Sequence, residues 1–207
     1  MSGLLIAFEG LDQSGKQTQA ELLRDRLTAS GQRVQLLSFP DYTTAIGREI
    51  YEALHGARDY AADVMQLLYV ANRYEWKGRI LDARNRGTIL VCDRYLASSV
   101  AYGEAQGLDG QWLVQMQRFL PQPDITFLLD IAPEVSARRK ATARDKYERD
   151  LALLARVRSS YLQQAGSHLR PSGYGGQAGW VHIDADRDKD DVAADVYAAV
   201  AARLGRV

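Results

Sequence analysis

The chain of 207 residues is 46% hydrophobic, and its 26 lysine and arginine residues balance 26 aspartate and glutamate residues. This length fits a single α/β domain over residues 1–207, and the balanced charge excludes a general affinity for nucleic acid or for a membrane surface. No apolar run approaches the roughly 20 residues of a membrane span, and the single cysteine, Cys92, excludes an intramolecular disulfide and fits a cytoplasmic location.

A short glycine-rich segment near the N-terminus gives the clearest signal. Apolar residues 4–8 predict a strand buried on both faces, and a helical pattern continues from residue 20 onwards. Between them stands GLDQSGK, residues 10–16, which has the G-x-x-x-x-G-K spacing of a phosphate-binding P-loop. Glycines let backbone N–H groups face a phosphate, and the helix N-terminus and a lysine add positive charge. The predicted contacts to nucleotide phosphates are Gly10, Gln13, Ser14, Gly15, Lys16, Gln17 and Thr18.

One position departs from the usual P-loop. The Ser or Thr whose hydroxyl normally reaches Mg²⁺ is replaced by Gln17, and Thr18 follows it. Adjacent side chains on a helix point about 100° apart, so Thr18 cannot take over that position. A Mg²⁺ ion would therefore depend on carboxylates and phosphate oxygens.

Strands and helices alternate along the rest of the chain, which favours an α/β sheet. The predicted elements are a strand over 34–39, helices over 45–54 and 60–83, a strand over 87–92, a short helix carrying residues 98–102, a helix over 111–119, a strand over 124–131, a helix over 151–165, a glycine-rich loop over 173–179, a strand over 180–183, and a closing helix through residues 192–204.

Charged residues follow directly on the third strand. Asp93 and Arg94 would stand at the carboxyl edge of the sheet, where open parallel sheets bind their ligands. On the helix over 60–83, Tyr69, Arg73 and Glu75 fall within two turns, and periodicity alone predicts a solvated face with one aromatic ring packed below. The basic stretch 137–149 predicts either a solvated helix or a lid that closes over phosphates.

Five segments of the chain resemble thymidylate kinase, a P-loop nucleoside-monophosphate kinase. They are residues 8–16 (FEGLDQSGK), 39–40 (FP), 67–73 (LLYVANR), 93–102 (DRYLASSVAY) and 123–130 (PDITFLLD). The resemblance implies a three-layer P-loop kinase fold, with a five-stranded parallel sheet flanked by helices and a short helical lid, usually in a homodimer. It also implies transfer of the γ-phosphoryl group of ATP to dTMP with Mg²⁺, which gives ADP and dTDP for dTTP synthesis.

The resemblance assigns catalytic roles to three of these residues and a metal-binding role to a fourth. Lys16 would hold the ATP phosphates and the transferring group, and Arg94 would grip the phosphate of dTMP. Asp12 would lie between the two substrates near the deoxyribose 3′-hydroxyl. Asp93 would help to hold Mg²⁺, directly or through water. Phosphoryl transfer depends on positioning and positive charge more than on a base, so these residue types suit the reaction.

The resemblance also implies a pocket for the thymine base and its sugar. Its members would be Phe39 and Tyr69 beside the ring, Arg73 at O4, Ser98 and Ser99 along the base edge, and Tyr102 against the place of a ribose 2′-hydroxyl.

Two departures from the family pattern bear on charge. Tyr42 stands where some relatives carry an arginine for the monophosphate, and Gln13 replaces a catalytic arginine that one subgroup has in its P-loop. Relatives without that arginine usually place basic residues in the lid, here residues 138–149. Arg144 is the predicted catalytic residue in this lid, with Lys140 and Arg149 as alternatives.

Three other functions compete with this hypothesis. Another nucleoside or nucleoside-monophosphate kinase would also bind a base beside a P-loop, but deoxynucleoside kinases typically carry E-R-S where this chain has DRY, residues 93–95. A P-loop GTP-binding switch would need an N-K-x-D motif, and the sequence has none. An inactive scaffold is disfavoured because Lys16, Asp93 and Arg94 are all present.

Overall fold

Five parallel strands alternate with helices in the computed structural model, which describes residues 3–139, 150–166 and 179–205. The elements are β1 Leu5–Glu9, α1 Lys16–Ala29, β2 Val34–Ser38, α2 Ala45–Leu54, α3 Ala62–Asn85, β3 Ile89–Asp93, α4 Leu96–Ala105, α5 Gly110–Gln115, β4 Ile125–Asp130, α6 Pro133–Arg139, α7 Leu151–Gly166, β5 Gly179–Asp184 and α8 Lys189–Leu204. The predicted fold class is confirmed, and most predicted bounds agree within two residues.

The predicted helix over 111–119 is wrong in its length, because α5 ends at Gln115. Beyond that residue the backbone continues in tighter turns, in which the N–H of Leu120 donates to the carbonyl of Gln117 at 3.0 Å. The carbonyl of Met116 accepts instead from the Tyr74 hydroxyl of α3 at 3.0 Å. A tertiary contact therefore takes the acceptor that the next helical turn would have used.

The sheet has the strand order β2-β3-β1-β4-β5, with β1 at its centre. Ile6 of β1 lies opposite Val91 of β3 on one side and Ile125 of β4 on the other. The rings of Phe8 and Phe127 stack with centroids 5.1 Å apart. All five residues of β1 are buried, as the continuous apolar run predicts for a central parallel strand.

Helices cover both faces of the sheet and complete three layers. One face packs on α1, α7 and α8 through Leu23, Leu154 and Val196. The opposite face packs on α3 through Ile80 and Ala83. Successive residues of β1 point to opposite faces, so each of these two cores receives alternate side chains from the same strand.

The strand order brings three chain segments together at the carboxyl edge. The chain leaves β1 toward β2, returns through β3 next to β1, and then continues to β4 on the other side. The segments that follow β1, β3 and β4 therefore meet around the end of the central strand. Such a switch point is where open α/β sheets bind ligands.

Part of the predicted lid lies outside the described residues. The described portion is the end of α6, with Arg139 at its last position. Lys140, Arg144 and Arg149 are not among the described residues, and neither is 173–178 of the predicted glycine-rich loop, whose last residue begins β5. Among the described helices, none is both long enough and apolar enough to cross a membrane.

Candidate active site

The P-loop joins β1 to α1 and takes a conformation that only glycine allows at its first position. Gly10 has φ 141°, and a Cβ there would stand 2.4 Å from the backbone oxygen of Leu129. The loop therefore passes directly against the end of β4. Gly15, with φ 90°, immediately precedes α1, whose first N–H groups face the loop without a side-chain cap.

Lys16 is held inside this loop. Its side chain is 6% exposed, and Nζ donates to the carbonyl of Leu11 at 2.6 Å. Burial and the nearby Arg94 guanidinium lower the pKa of Lys16 to about 8, although Asp12 opposes them. A cation with a lowered pKa is incompletely neutralised by its protein surroundings, so an anion placed beside it is strongly favoured.

A cleft of about 230 Å³ opens in front of the P-loop. Its lining residues are Asp12, Gln13, Gly15, Lys16, Gln17, Thr18, Asp93 and Arg94, while Gly10 and Ser14 are buried within the loop. The Gln17 amide donates to the Glu21 carboxylate at 2.9 Å along α1. One carboxylate oxygen of Asp93 is buried without a hydrogen-bond partner among the described residues.

Arg94 stands where this cleft meets a second cavity. Its backbone has φ 62°, and its guanidinium forms a 2.5 Å ion pair with Asp12 and a 3.1 Å hydrogen bond to the carbonyl of Gly10. Burial opposes the charge on Asp12, but Arg94 and Lys16 lower its pKa to about 2. Tyr102 donates to the other Asp12 oxygen at 2.9 Å. These groups therefore form one charged cluster in the wall between the two cavities.

The second cavity has a volume of about 120 Å³ and is lined by every residue that the resemblance assigned to the acceptor nucleotide. These residues are Asp12, Phe39, Tyr69, Arg73, Arg94, Ser98, Ser99 and Tyr102. The cavity combines aromatic walls with several polar side chains, which is typical of a site for a flat organic ring that carries polar groups. Tyr42, at the position of the missing arginine, also lines it.

The prediction of a solvated face is wrong for Arg73. This residue is only 3% exposed, and its guanidinium donates to the Ser99 hydroxyl at 2.7 Å. Burial lowers its pKa while the Glu9 carboxylate raises it, and its Nε is buried without a partner among the described atoms. The reason is tertiary, because α3 packs against β3 and α4 and turns this face toward the cavity. Glu75, by contrast, is exposed.

Two polar residues of α3 were missed in the sequence. Gln66 lines the second cavity, is 1% exposed, and has an amide oxygen without a partner in the described structure. Asn72 accepts from the backbone N–H of Asp41 at 2.7 Å and donates to its carbonyl at 3.2 Å, which holds the segment after β2. Gln66 precedes Arg73 by seven residues, two helical turns, and that spacing is the signal that could have revealed it.

The parallel sheet, the P-loop and the two adjoining cavities define the class of protein as a P-loop nucleotide kinase. A thymidylate kinase family model matches residues 8–171. The chain is 40% identical to thymidylate kinase of Schizosaccharomyces pombe over 147 residues, which cover 71% of this chain and 70% of that protein. It is 34% identical to thymidylate kinase of Caenorhabditis elegans over 204 residues, 94% of this chain and 88% of the relative.

A solved structure gives the same result. Thymidylate kinase from Candida albicans superposes with a TM-score of 0.80 at 28% identity, covering 98% of this chain and 93% of that one. The chain belongs to the thymidylate kinase family.

Proposed function

We propose that this protein transfers the γ-phosphoryl group of ATP to dTMP. An oxygen of the dTMP phosphate attacks the γ-phosphorus, the bond to the β,γ-bridging oxygen breaks, and the products are ADP and dTDP, the precursor of dTTP. The observation that carries this proposal is the junction of two cavities at Asp12 and Arg94, one cavity made by the P-loop and the other walled by aromatic rings. Two substrates bound in these cavities would have their phosphates side by side.

The charge distribution supports these roles. Lys16 and the backbone N–H groups at the start of α1 suit the β- and γ-phosphates of ATP. Arg94 suits the phosphate of the acceptor, because it lines both cavities. Asp12 already holds Arg94 and Tyr102 between the cavities, where a deoxyribose 3′-hydroxyl could also donate to it. The remaining P-loop residues would contact phosphate oxygens.

The acceptor cavity suits a thymine base. Arg73 carries donors only, which match a carbonyl such as O4 and do not match an amino group. Phe39 and Tyr69 offer aromatic surface for the two faces of the ring. Ser98 and Ser99 would line the base edge, although their hydroxyls already take part in hydrogen bonds to arginine side chains.

Mg²⁺ would bind between the phosphates and Asp93. In kinases this ion is usually held by one or two carboxylates together with substrate phosphates and water. The buried oxygen of Asp93 in the P-loop cleft, which has no partner in the described part of the chain, fits that requirement, while Gln17 offers no hydroxyl at the usual position. When bound, the ion would neutralise phosphate charge and orient the oxygens.

Turnover with a panel of acceptors tests the function. We expect ADP formation from ATP with dTMP and much less with dCMP, AMP or thymidine. The preference over dUMP should be modest, because one methyl group in an apolar pocket is worth roughly 1–3 kcal/mol. Faster turnover with thymidine would make the protein a nucleoside kinase, and no turnover with any acceptor would exclude the proposed reaction.

A stripe on the outer side of α3 supports the homodimer. Its residues recur at alternating spacings of three and four, as in helices that pack along their length. They are Val64, Leu67, Ala71, Tyr74, Gly78 and Leu81. Val64, Leu67 and Leu81 are 37%, 49% and 41% exposed, although they are large and apolar. A second copy of the chain would bury them. The buried free thiol of Cys92 agrees with a cytoplasmic enzyme.

Placing a charge in this stripe tests the dimer. We expect Leu67→Glu to be a monomer at concentrations where the unaltered protein sediments as a dimer. Ala29→Glu is the matched control, because Ala29 is exposed on α1, which packs on the opposite face of the sheet. Identical sedimentation of the two variants would argue against this interface.

A further inference from the structure

Glu9 is a fully buried carboxylate to which the sequence assigned no role. It is the last residue of β1 and is 0% exposed. One carboxylate oxygen accepts the backbone N–H groups of Tyr95 at 2.9 Å and Ala97 at 3.2 Å, and the other accepts the Ser98 hydroxyl at 2.6 Å. The carboxylate therefore ties the end of the central strand to the first turn of α4.

Arg94 directly precedes Tyr95, the first residue that donates to Glu9, and its backbone has a conformation that the surrounding structure must stabilise. Its φ of 62° is in the left-handed region, which non-glycine residues occupy only when the surrounding structure holds them there. Its own N–H donates to the Phe8 carbonyl at 2.9 Å, and the next residue, Tyr95, donates to Glu9. Consecutive residues at the end of β1 thus fix the backbone from which the Arg94 side chain extends.

Glu9 also orients the side-chain bonds around Arg94. Because the Ser98 hydroxyl donates to Glu9, its lone pairs remain for the Arg94 guanidinium at 3.2 Å and the Tyr161 hydroxyl at 2.9 Å. The Tyr161 hydroxyl lies 3.3 Å from both Glu9 and Arg94. A carboxylate only accepts hydrogen bonds, so the Ser98 hydroxyl directs its hydrogen toward Glu9 and its oxygen toward the arginine.

We propose that Glu9 is a positioning residue for the acceptor phosphate, acting through Ser98 and the start of α4 to aim Arg94. The inference rests on the proposed function, in which Arg94 binds the phosphate of dTMP. Glu9 lines neither of the two cavities. Its effect is therefore indirect, and it should appear in the recognition of the phosphate more than in that of the base.

Glu9→Gln is the decisive variant, because it keeps the size of the side chain and replaces one acceptor oxygen with a donor. The amide oxygen can still receive the two backbone N–H groups, but the NH₂ group opposes the donation from Ser98. Asp124→Asn is the matched control. Asp124 also ties β1, since it accepts the N–H of Leu5 at 2.7 Å and pairs with Arg84 at 2.8 Å, but it does so at the opposite end of the strand.

The measurement is the affinity for dTMP and for thymidine, which lacks the phosphate. We expect Glu9→Gln to weaken dTMP binding about tenfold or more, the usual scale for a lost hydrogen bond to a charged group. Thymidine binding and the KM for ATP should change less than about threefold on the same scale. Asp124→Asn should lower Tm and leave the dTMP-to-thymidine affinity ratio unchanged.

The outcomes separate the explanations. An unchanged ratio in a folded Glu9→Gln protein would overturn the inference and leave Glu9 a structural residue. If that variant does not fold, Ser98→Ala is the second test, because it removes the link between Glu9 and Arg94. It should lower the dTMP-to-thymidine affinity ratio, and an unchanged ratio would also overturn the inference. Failure of the unaltered protein to phosphorylate dTMP would instead contradict the proposed function, and the binding ratios would still test Glu9.

Discussion

The two edges of the sheet each carry an arginine–carboxylate pair, and the difference between the pairs separates structure from function. At the amino edge, Arg84 donates to both oxygens of Asp124 and to the carbonyls of Gly3 and Gln122. That arrangement ties the beginnings of β1 and β4 to the end of α3. At the carboxyl edge, Arg94 and Asp12 form a similar pair, but they line two cavities.

Unsatisfied hydrogen-bonding groups distinguish the edges more clearly than charge does. In the P-loop and the linings of the two cavities, four side chains have a buried polar atom without a partner among the described residues: Ser14, Gln66, Arg73 and Asp93. Neither Arg84 nor Asp124 has such an atom. Buried polar groups are normally paired, so a group of unpaired ones at one edge indicates that a ligand completes them.

The lid would add positive charge to the carboxyl edge alone. Removing that charge should have the largest effect on catalysis. We expect Arg144→Ala to lower kcat by about 10³-fold with little change in the KM for dTMP, since an arginine that neutralises transition-state charge is worth about 10³–10⁵. The measurement is kcat at saturating ATP, with Lys140→Ala and Arg149→Ala beside it. If all three variants stay within a few-fold of the unaltered protein, the lid does not supply this charge.

Lys16→Ala compared with Arg84→Ala tests the contrast between edges directly. We expect the first to reduce kcat by about 10²–10³-fold without lowering Tm, because it removes a donor to developing charge. The second should lower the free energy of unfolding by about 1–3 kcal/mol, because it leaves Asp124 without its partner. Turnover and urea denaturation of both variants give the result. Equal loss of activity in Lys16→Ala and Arg84→Ala would contradict the functional distinction between the two edges.

We propose that Tyr102, at the carboxyl edge, selects the sugar of the acceptor. Its hydroxyl is held by Asp12 beside the acceptor cavity. We expect Tyr102→Ala to reduce the preference for dTMP over ribo-TMP about tenfold, on the scale of steric discrimination in a pocket, while the preference over dUMP stays the same. The ratios of kcat/KM measure this. If the unaltered protein uses both sugars equally, Tyr102 has been assigned the wrong role.

The smallest expected effect is a dependence of ATP affinity on pH. Lys16 has a pKa of about 8, below its ordinary 10.5, and bound phosphates should raise it again. Well above pH 8 most of the protein without ATP has lost this proton, so ATP binding must take one up, and affinity should fall by up to about tenfold per pH unit. Calorimetry at pH 9 in two buffers measures the proton uptake. The Lys16→Arg variant stays charged at pH 9 and should show no proton uptake. Equal uptake in that variant would mean that a group other than Lys16 takes up the proton.

The sequence by itself determined most of the elements and the P-loop, because their signals are local. The strand, glycine loop and helix around Lys16 follow from neighbouring residues, and the burial of β1 follows from its unbroken apolar run. The position of Asp93 and Arg94 at the carboxyl edge follows from the strand that precedes them. Each of these inferences depends on spacing within about 20 residues, where chain geometry leaves few alternatives.

Only the tertiary structure decided which polar side chains are buried and what they contact. Periodicity along α3 predicted that Arg73 lies on a solvated face. In the structure α4 covers Arg73 and provides its hydrogen-bond partner, Ser99. The sequence assigned no role to Glu9, because its partners lie 86 to 152 residues further along the chain. Burying an ionised group is costly unless such distant partners are present, and periodicity in one segment carries no information about them.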